Sequence, residues 1–154
     1  GVICTRATAE SLAYEDAFAA APHVQLSTRA CPRFVDFVEA GVTGGEELIR
    51  VAHEYLDPLT SHGVDTVILG CTHYPLLTGV ISYVMGDNVT LVSSAEECAK
   101  DVYKLLVETD LMRPGGVPSY TFLTTGSPGE FETIGHRFLG PELTGASQFV
   151  GGLV

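Results

Sequence analysis

Basic residues are scarce in this chain. Among 154 residues there are 8 Lys and Arg against 19 Asp and Glu, a net charge of −11. Nucleic acids and anionic membrane surfaces are recognised through clustered Lys and Arg, so that balance argues against both as partners. Long apolar runs are also missing. A stretch such as Val67-Ile68-Leu69 is far too short to span a bilayer, and the N-terminus has no signal-peptide pattern, since Arg6 is followed by Glu10, Glu15 and Asp16. The four cysteines (Cys4, Cys31, Cys71, Cys98) form no C-x-x-C pair. That removes the spacing signature of a closed zinc site and the density of a disulfide scaffold, and it points to free thiols in a reducing, cytoplasmic compartment. The glycine pairs at 44–45, 115–116 and 151–152 do not follow a strand with the Lys and Ser/Thr of a phosphate loop. No repeat and no low-complexity tract is visible.

What is present is a folding chain of globular composition, with hydrophobic residues at 45% and charged residues at 18%. Short β-branched runs alternate with helical periodicity, the pattern of parallel α/β units. Residues 1–4 read as a strand, and Gly1 standing inside it suggests the later portion of something longer. Residues 5–8 read as a polar turn. Ser11 is the expected cap of a helix that stops at Pro22, and residues 24–27 are the expected second strand. A long connection over 30–45 includes a short helix at 34–39. Residues 46–59 carry a helical stripe of Leu48, Ile49, Val51, Ala52, Tyr55, Leu56 and Leu59. Residues 64–69 form a nearly all-apolar strand, expected in the centre of the sheet. Pro75 suits the first position of the following helix. A strand at 89–92 precedes a helix capped by Ser93-Ser94, with Cys98 on its apolar stripe as core filler. Beyond Asp110 come a Pro/Gly linker, a strand at 120–124, a helix over 128–139 capped by Ser127, and a strand-like run Gln148-Phe149-Val150.

The sharpest feature is strand, then Gly70-Cys71-Thr72-His73-Tyr74-Pro75, then helix. Ligands of open α/β sheets bind beyond the carboxyl ends of the strands. A Cys at that corner lies near helix N–H groups that favour a thiolate. His73 can serve as its proton partner or hold a substrate carboxylate, Gly70 allows close backbone approach, and Thr72 offers a hydroxyl. Residue types alone leave three readings open: a catalytic Cys71, a buried Cys with His73 as a cap, or zinc binding. Cys4 ends the first strand on the same edge, either approaching a ligand or buried. Cys31, before Pro32, reads as structural. Glu39 beside Gly41 is solvated or catalytic, and Thr5 and Thr8 are bonded to local backbone or available to a ligand. His23, His53, His62 and His136 show no ligand spacing and read as surface residues.

Gly70-Cys71-Thr72-His73-Tyr74-Pro75-Leu76-Leu77 resembles the second cysteine motif of the glutamate racemases. Val2-Ile3-Cys4-Thr5-Arg6-Ala7-Thr8, the stretch from Ala30-Cys31-Pro32 to Phe37-Val38-Glu39, and Val92-Ser93-Ser94-Ala95-Glu96 support the likeness, which covers about residues 1–139 and is nearest the actinobacterial members. The resemblance implies parallel-sheet, three-layer α/β domains facing each other. Residues 1–94 would be the second domain, and 95–154 the segment returning to complete the first. It implies interconversion of L- and D-glutamate without cofactor or metal, supplying peptidoglycan synthesis, in an enzyme that is commonly a homodimer. Two thiols would flank the substrate α-carbon, Cys71 being the one that acts on the L enantiomer. His73 and Glu39 would assist Cys71, Thr72 would contact substrate, and Thr5 and Thr8 would reach its carboxylates or amine. The family's opening Asp-Ser-Gly motif and first catalytic cysteine have no counterpart in these residues, so this chain would carry half an active site and would not racemise alone. An aspartate-type racemase is disfavoured by His73, where those enzymes usually carry an acid. A Cys–His hydrolase lacks an orienting Asn/Asp and an oxyanion-hole motif. A non-catalytic binding module is the contrasting class.

Overall fold

The computed structural model describes residues 1–149 and 151. By internal contacts the chain divides into two compact units, Gly1–Leu111 and Met112–Val154. The first is built on a four-stranded parallel sheet in the order β2-β1-β3-β4, from β1 (Val2–Cys4), β2 (Thr28–Ala30), β3 (Thr66–Gly70) and β4 (Thr90–Ser93). β1 and β3 are the inner strands, as their apolar composition requires, and all three residues of β1 are buried. Cys4 pairs in register with Ala30 on one side and Gly70 on the other, so three strands end together at one edge.

One face of this sheet presents Ile3, Val67 and Leu69 to the main core. The helices α3 (Arg33–Glu39), α4 (Glu46–Ser61) and α5 (Thr78–Met85) supply the rest of it. α4 buries Leu48, Val51, Ala52, Leu56 and Leu59, a stripe at helical spacing, with Ile49 and Tyr55 packed at its margin. Its first turn carries Glu46 and Glu47, favourable at the positive end of the helix dipole, after Gly45 in a left-handed conformation (φ 105°). In α3, Phe34 and Val38 are buried. Phe34 sits edge-on between Tyr55 and Tyr74, with ring centroids 5.3 and 5.5 Å away.

Five expectations need correction. Residues 5–8 are not a polar turn, because Thr5 caps a short helix, α1 (Arg6–Glu10), by accepting the Thr8 N–H. Ser11 ends that helix, and a separate α2 (Ala13–Phe18) starts after Leu12, which adopts φ 55°. The second strand lies at Thr28–Ala30, not 24–27. An edge strand of three residues needs little apolar character, whereas Val24, which suggested the earlier position, is exposed. Pro75 falls in a 3-10 turn over Tyr74–Leu77, and the α-helix begins only at Thr78. The expected α6 (Ser94–Glu108) is present and is capped by Ser93, which accepts the Glu96 N–H. It buries no residue, however, so Cys98 is exposed rather than core filler, and Val102 and Leu105 are 51% and 58% exposed.

The second unit is a βαβ element of β5 (Phe122–Thr124), α7 (Pro128–Leu139) and β6 (Ala146–Gln148), the two strands pairing in parallel. Ser127 caps α7 as expected. Glu132 accepts the Ala146 N–H at 2.7 Å, tying helix to strand. Leu143 is buried against Gly135, where an added Cβ would lie 2.9 Å from it. Phe149 follows β6, and Val150 of the expected strand lies outside the described residues.

Candidate active site

Because β1 and β3 are neighbours in register, the residues leaving their carboxyl ends are brought to one edge: Thr5 after β1, Cys71 after β3. Space beside Gly70 is tight. A Cβ at that position would meet the Tyr14 hydroxyl at 2.8 Å and the Ile3 carbonyl at 3.1 Å, so the close approach that selects glycine is made by Tyr14 of α2.

The turn after Gly70 is closed by the Tyr74 N–H donating to the Cys71 carbonyl at 3.3 Å. It sets the Cys71 sulfur 3.9 Å from His73 Nδ1, with the Thr72 hydroxyl 3.3 Å from the same nitrogen. The opposite ring nitrogen, Nε2, faces the Glu39 carboxylate at 3.5 Å. Glu39 is the last residue of α3, so a long stretch of chain separates it from the turn it meets. The arrangement runs thiol, imidazole, carboxylate. A carboxylate that accepts from Nε2–H leaves the Nδ1 lone pair facing the thiol, the tautomer a proton acceptor needs. His73 is 24% exposed and Glu39 51%, so the acid lies at the rim and the ring beneath it. Cys71 is half-buried and Thr72 exposed. Thr5 and Thr8 meet each other, hydroxyl to hydroxyl, at 3.0 Å on the neighbouring strand end, both half-buried. All six residues singled out in the sequence therefore lie around the carboxyl ends of β1 and β3 or in contact with His73.

The two thiols at the neighbouring strand ends differ in kind from Cys71. Cys4 and Cys31 are fully buried. Burial pushes the Cys4 thiol up, and Glu15 and Cys71 add to the effect. Cys31 is pushed up to about 12, by burial first and Cys4 second, against a smaller opposing pull from Arg29. Both are held as neutral thiols. Tyr14 is raised as well, by burial and then by Cys4. The residue that sequence reasoning passed over is Tyr74. It is wholly buried, and its hydroxyl lies 2.9 Å from both the Cys4 and the Cys31 carbonyls. Nothing in residue type or spacing points to those partners, one closing β1 and the other just beyond β2. A separate recess of about 770 Å³ is lined by Gly1, Ser27, Gly63 and Thr66 at the amino ends of the strands, and it contains none of the site residues. Among the described residues no group of His, Cys, Asp and Glu is placed to hold a metal ion, and no helix is long and apolar enough to cross a membrane.

A parallel α/β sheet with a thiol–imidazole–carboxylate chain at its carboxyl edge, in the motif context described above, places the chain in the racemase class. The chain is 59% identical over 145 residues to the glutamate racemase of Acidothermus cellulolyticus, covering 93% of this chain and 55% of that protein. It is 59% identical over 147 residues to that of Mycobacterium marinum, covering 94% and 54%. Among solved structures, glutamate racemase from Francisella tularensis in complex with D-glutamate matches with a TM-score of 0.83 at 32% identity, over 96% of this chain and 55% of that one. The Thermus thermophilus enzyme in complex with β-chloro-D-alanine matches with a TM-score of 0.83 at 35% identity, over 97% and 55%. No family profile matches the chain. The chain belongs to the glutamate racemase family, and it spans about half the length of the curated relatives it matches.

Proposed function

We propose that this chain carries the half of a glutamate racemase site that acts on L-glutamate, with Cys71 as the proton-transferring thiol. The observation that carries the reading is the continuous contact from Cys71 Sγ through both ring nitrogens of His73 to Glu39. In the first step His73 Nδ1 accepts the Cys71 proton. The thiolate then removes the α-proton of glutamate: the Cα–H bond breaks, an S–H bond forms, and the electron pair moves onto the substrate carboxylate. Thr5, Thr8 and Thr72 supply hydroxyls for the substrate carboxylates and amine around that point. Inversion requires a proton from the opposite face, because one base removes and returns it on the same side. Cys4 and Cys31 are buried as neutral thiols and Cys98 lies on α6, so the opposing thiol is assigned to none of these.

The same reading makes D-glutamate for peptidoglycan synthesis in the cytoplasm, by an enzyme that assembles as a homodimer. It also assigns residues 1–94 to one racemase domain and 95–154 to a segment returning to the facing domain. The exposed apolar stripe of α6 and the two-stranded parallel sheet β5-β6 support that assignment. Iodoacetamide labelling tests the site. At neutral pH Cys71 labels faster than the more exposed Cys98, and L-glutamate slows Cys71 alone. Equal rates at the two thiols, untouched by glutamate, would overturn the reading.

A further inference from the structure

Tyr74 lies where four pieces of the site converge. Its ring packs edge-on against Phe34, on the helix that ends in Glu39, at an interplanar angle of 89°. Its N–H closes the turn on the Cys71 carbonyl. Its hydroxyl reaches the carbonyl of Cys4, one residue before Thr5, and that of Cys31, at the end of β2. Burial, foremost, holds the phenol far above its ordinary value, so it remains a donor throughout the working pH range.

The hydroxyl is not needed to satisfy those carbonyls. Cys4 O already accepts the Cys31 N–H at 2.9 Å, and Cys31 O the Phe34 N–H at 3.1 Å. A phenylalanine would fill the same volume and orphan no buried acceptor. What the single phenolic proton adds is a tether between the turn and two strand ends. The adjoining residue on that turn is His73, whose ring must hold its 3.9 Å approach to Cys71 and its 3.5 Å approach to Glu39 together. We infer that Tyr74 is a positioning residue of the reaction, its hydroxyl fixing the His73 ring between the Cys71 thiol and the Glu39 carboxylate. The inference rests on the reading of Cys71 and His73 as a proton-transfer pair.

Iodoacetamide labelling of the whole chain, resolved thiol by thiol by peptide mass spectrometry across the pH range, tests it. Cys98 is the exposed internal reference, and buried Cys4 and Cys31 report any opening of the sheet edge. In Tyr74→Phe the Cys71 rate falls about five-fold, the worth of one hydrogen bond. Its pH profile moves toward that of His73→Ala, while Cys98 is unchanged and Cys4 and Cys31 stay protected. Adding Tyr74→Phe to His73→Ala produces no further slowing, the non-additivity expected of residues acting through one another. An unchanged Cys71 profile in Tyr74→Phe, equal slowing in both backgrounds, or labelling of Cys4 and Cys31 in step with Cys71 would each overturn the inference. The last outcome would make the phenol a general brace. If His73→Ala leaves the Cys71 rate untouched, the proton-transfer pair itself is wrong, and the inference falls with it.

Discussion

The buried thiol of Cys31 makes the stability of this chain pH-dependent in a calculable way. Cys31 is wholly buried and its thiol is raised from 9.0 to about 12, chiefly by burial. In the unfolded chain the same thiol ionises at its ordinary value. Between those limits the unfolded state binds fewer protons than the folded one, so stability falls as pH rises. The contribution is fully present below pH 9. It declines by about 1.4 kcal/mol at pH 10 and by about 4 kcal/mol at pH 12, taking about 1.4 kcal/mol per unit. Cys4 shifts in the same direction and steepens the decline. Urea unfolding followed by far-UV circular dichroism under reducing conditions, at steps from pH 7 to 10, measures it. Cys31→Ala removes the titrating group. The variant is less stable at neutral pH because the side chain is buried, yet its disadvantage shrinks by about 1.4 kcal/mol between pH 7 and 10. A difference between wild type and Cys31→Ala that stays constant over that range would refute the reasoning.

Three further outcomes follow from packing and geometry. Phe34→Ala removes a buried ring held between Tyr55 and Tyr74 and costs about 3–5 kcal/mol in urea unfolding; a loss under about 1 kcal/mol would mean the ring is not a core element. Ser93→Ala deletes the cap on the Glu96 N–H, lowering stability by about 1 kcal/mol and leaving Cys71 reactivity unchanged; a change in the Cys71 labelling rate would contradict that separation. Glu39→Gln replaces the carboxylate facing His73 Nε2 with a neutral amide and slows Cys71 labelling about ten-fold at neutral pH without moving the unfolding midpoint. An unaltered rate would remove Glu39 from the site.

How much of this was legible in the sequence depended on where the defining contacts lie. α4 could be read because its stripe faces a single core, and α6 and α7 because Ser93 and Ser127 are caps of ordinary chemistry. β2 could not be placed, since its identity comes from pairing with β1 and not from its own three residues. α1 was hidden because Thr5 and Thr8 resemble turn residues, and the bond that makes Thr5 a cap is visible only in three dimensions. Cys98 sits on a pattern that predicts burial, but a stripe reports apolarity and not what covers it. At the site, Cys71 and His73 share one turn and announce each other. Glu39 reaches them only because α3 packs through Phe34 against Tyr74, so spacing never shows the contact, and the family likeness alone suggested it. Tyr74 stayed unnoticed because a tyrosine after a histidine reads as core until its carbonyl partners are seen.

The central claim is that Cys71 is a base placed against the α-carbon of L-glutamate. The direct measurement is α-proton exchange of L- and D-glutamate in deuterated buffer, followed by NMR, for the chain and for Cys71→Ala. The account predicts slow deuteration of L-glutamate with its configuration retained, no exchange of D-glutamate, and loss of the signal in Cys71→Ala. Exchange that survives Cys71→Ala, or deuteration of the D enantiomer alone, would contradict it.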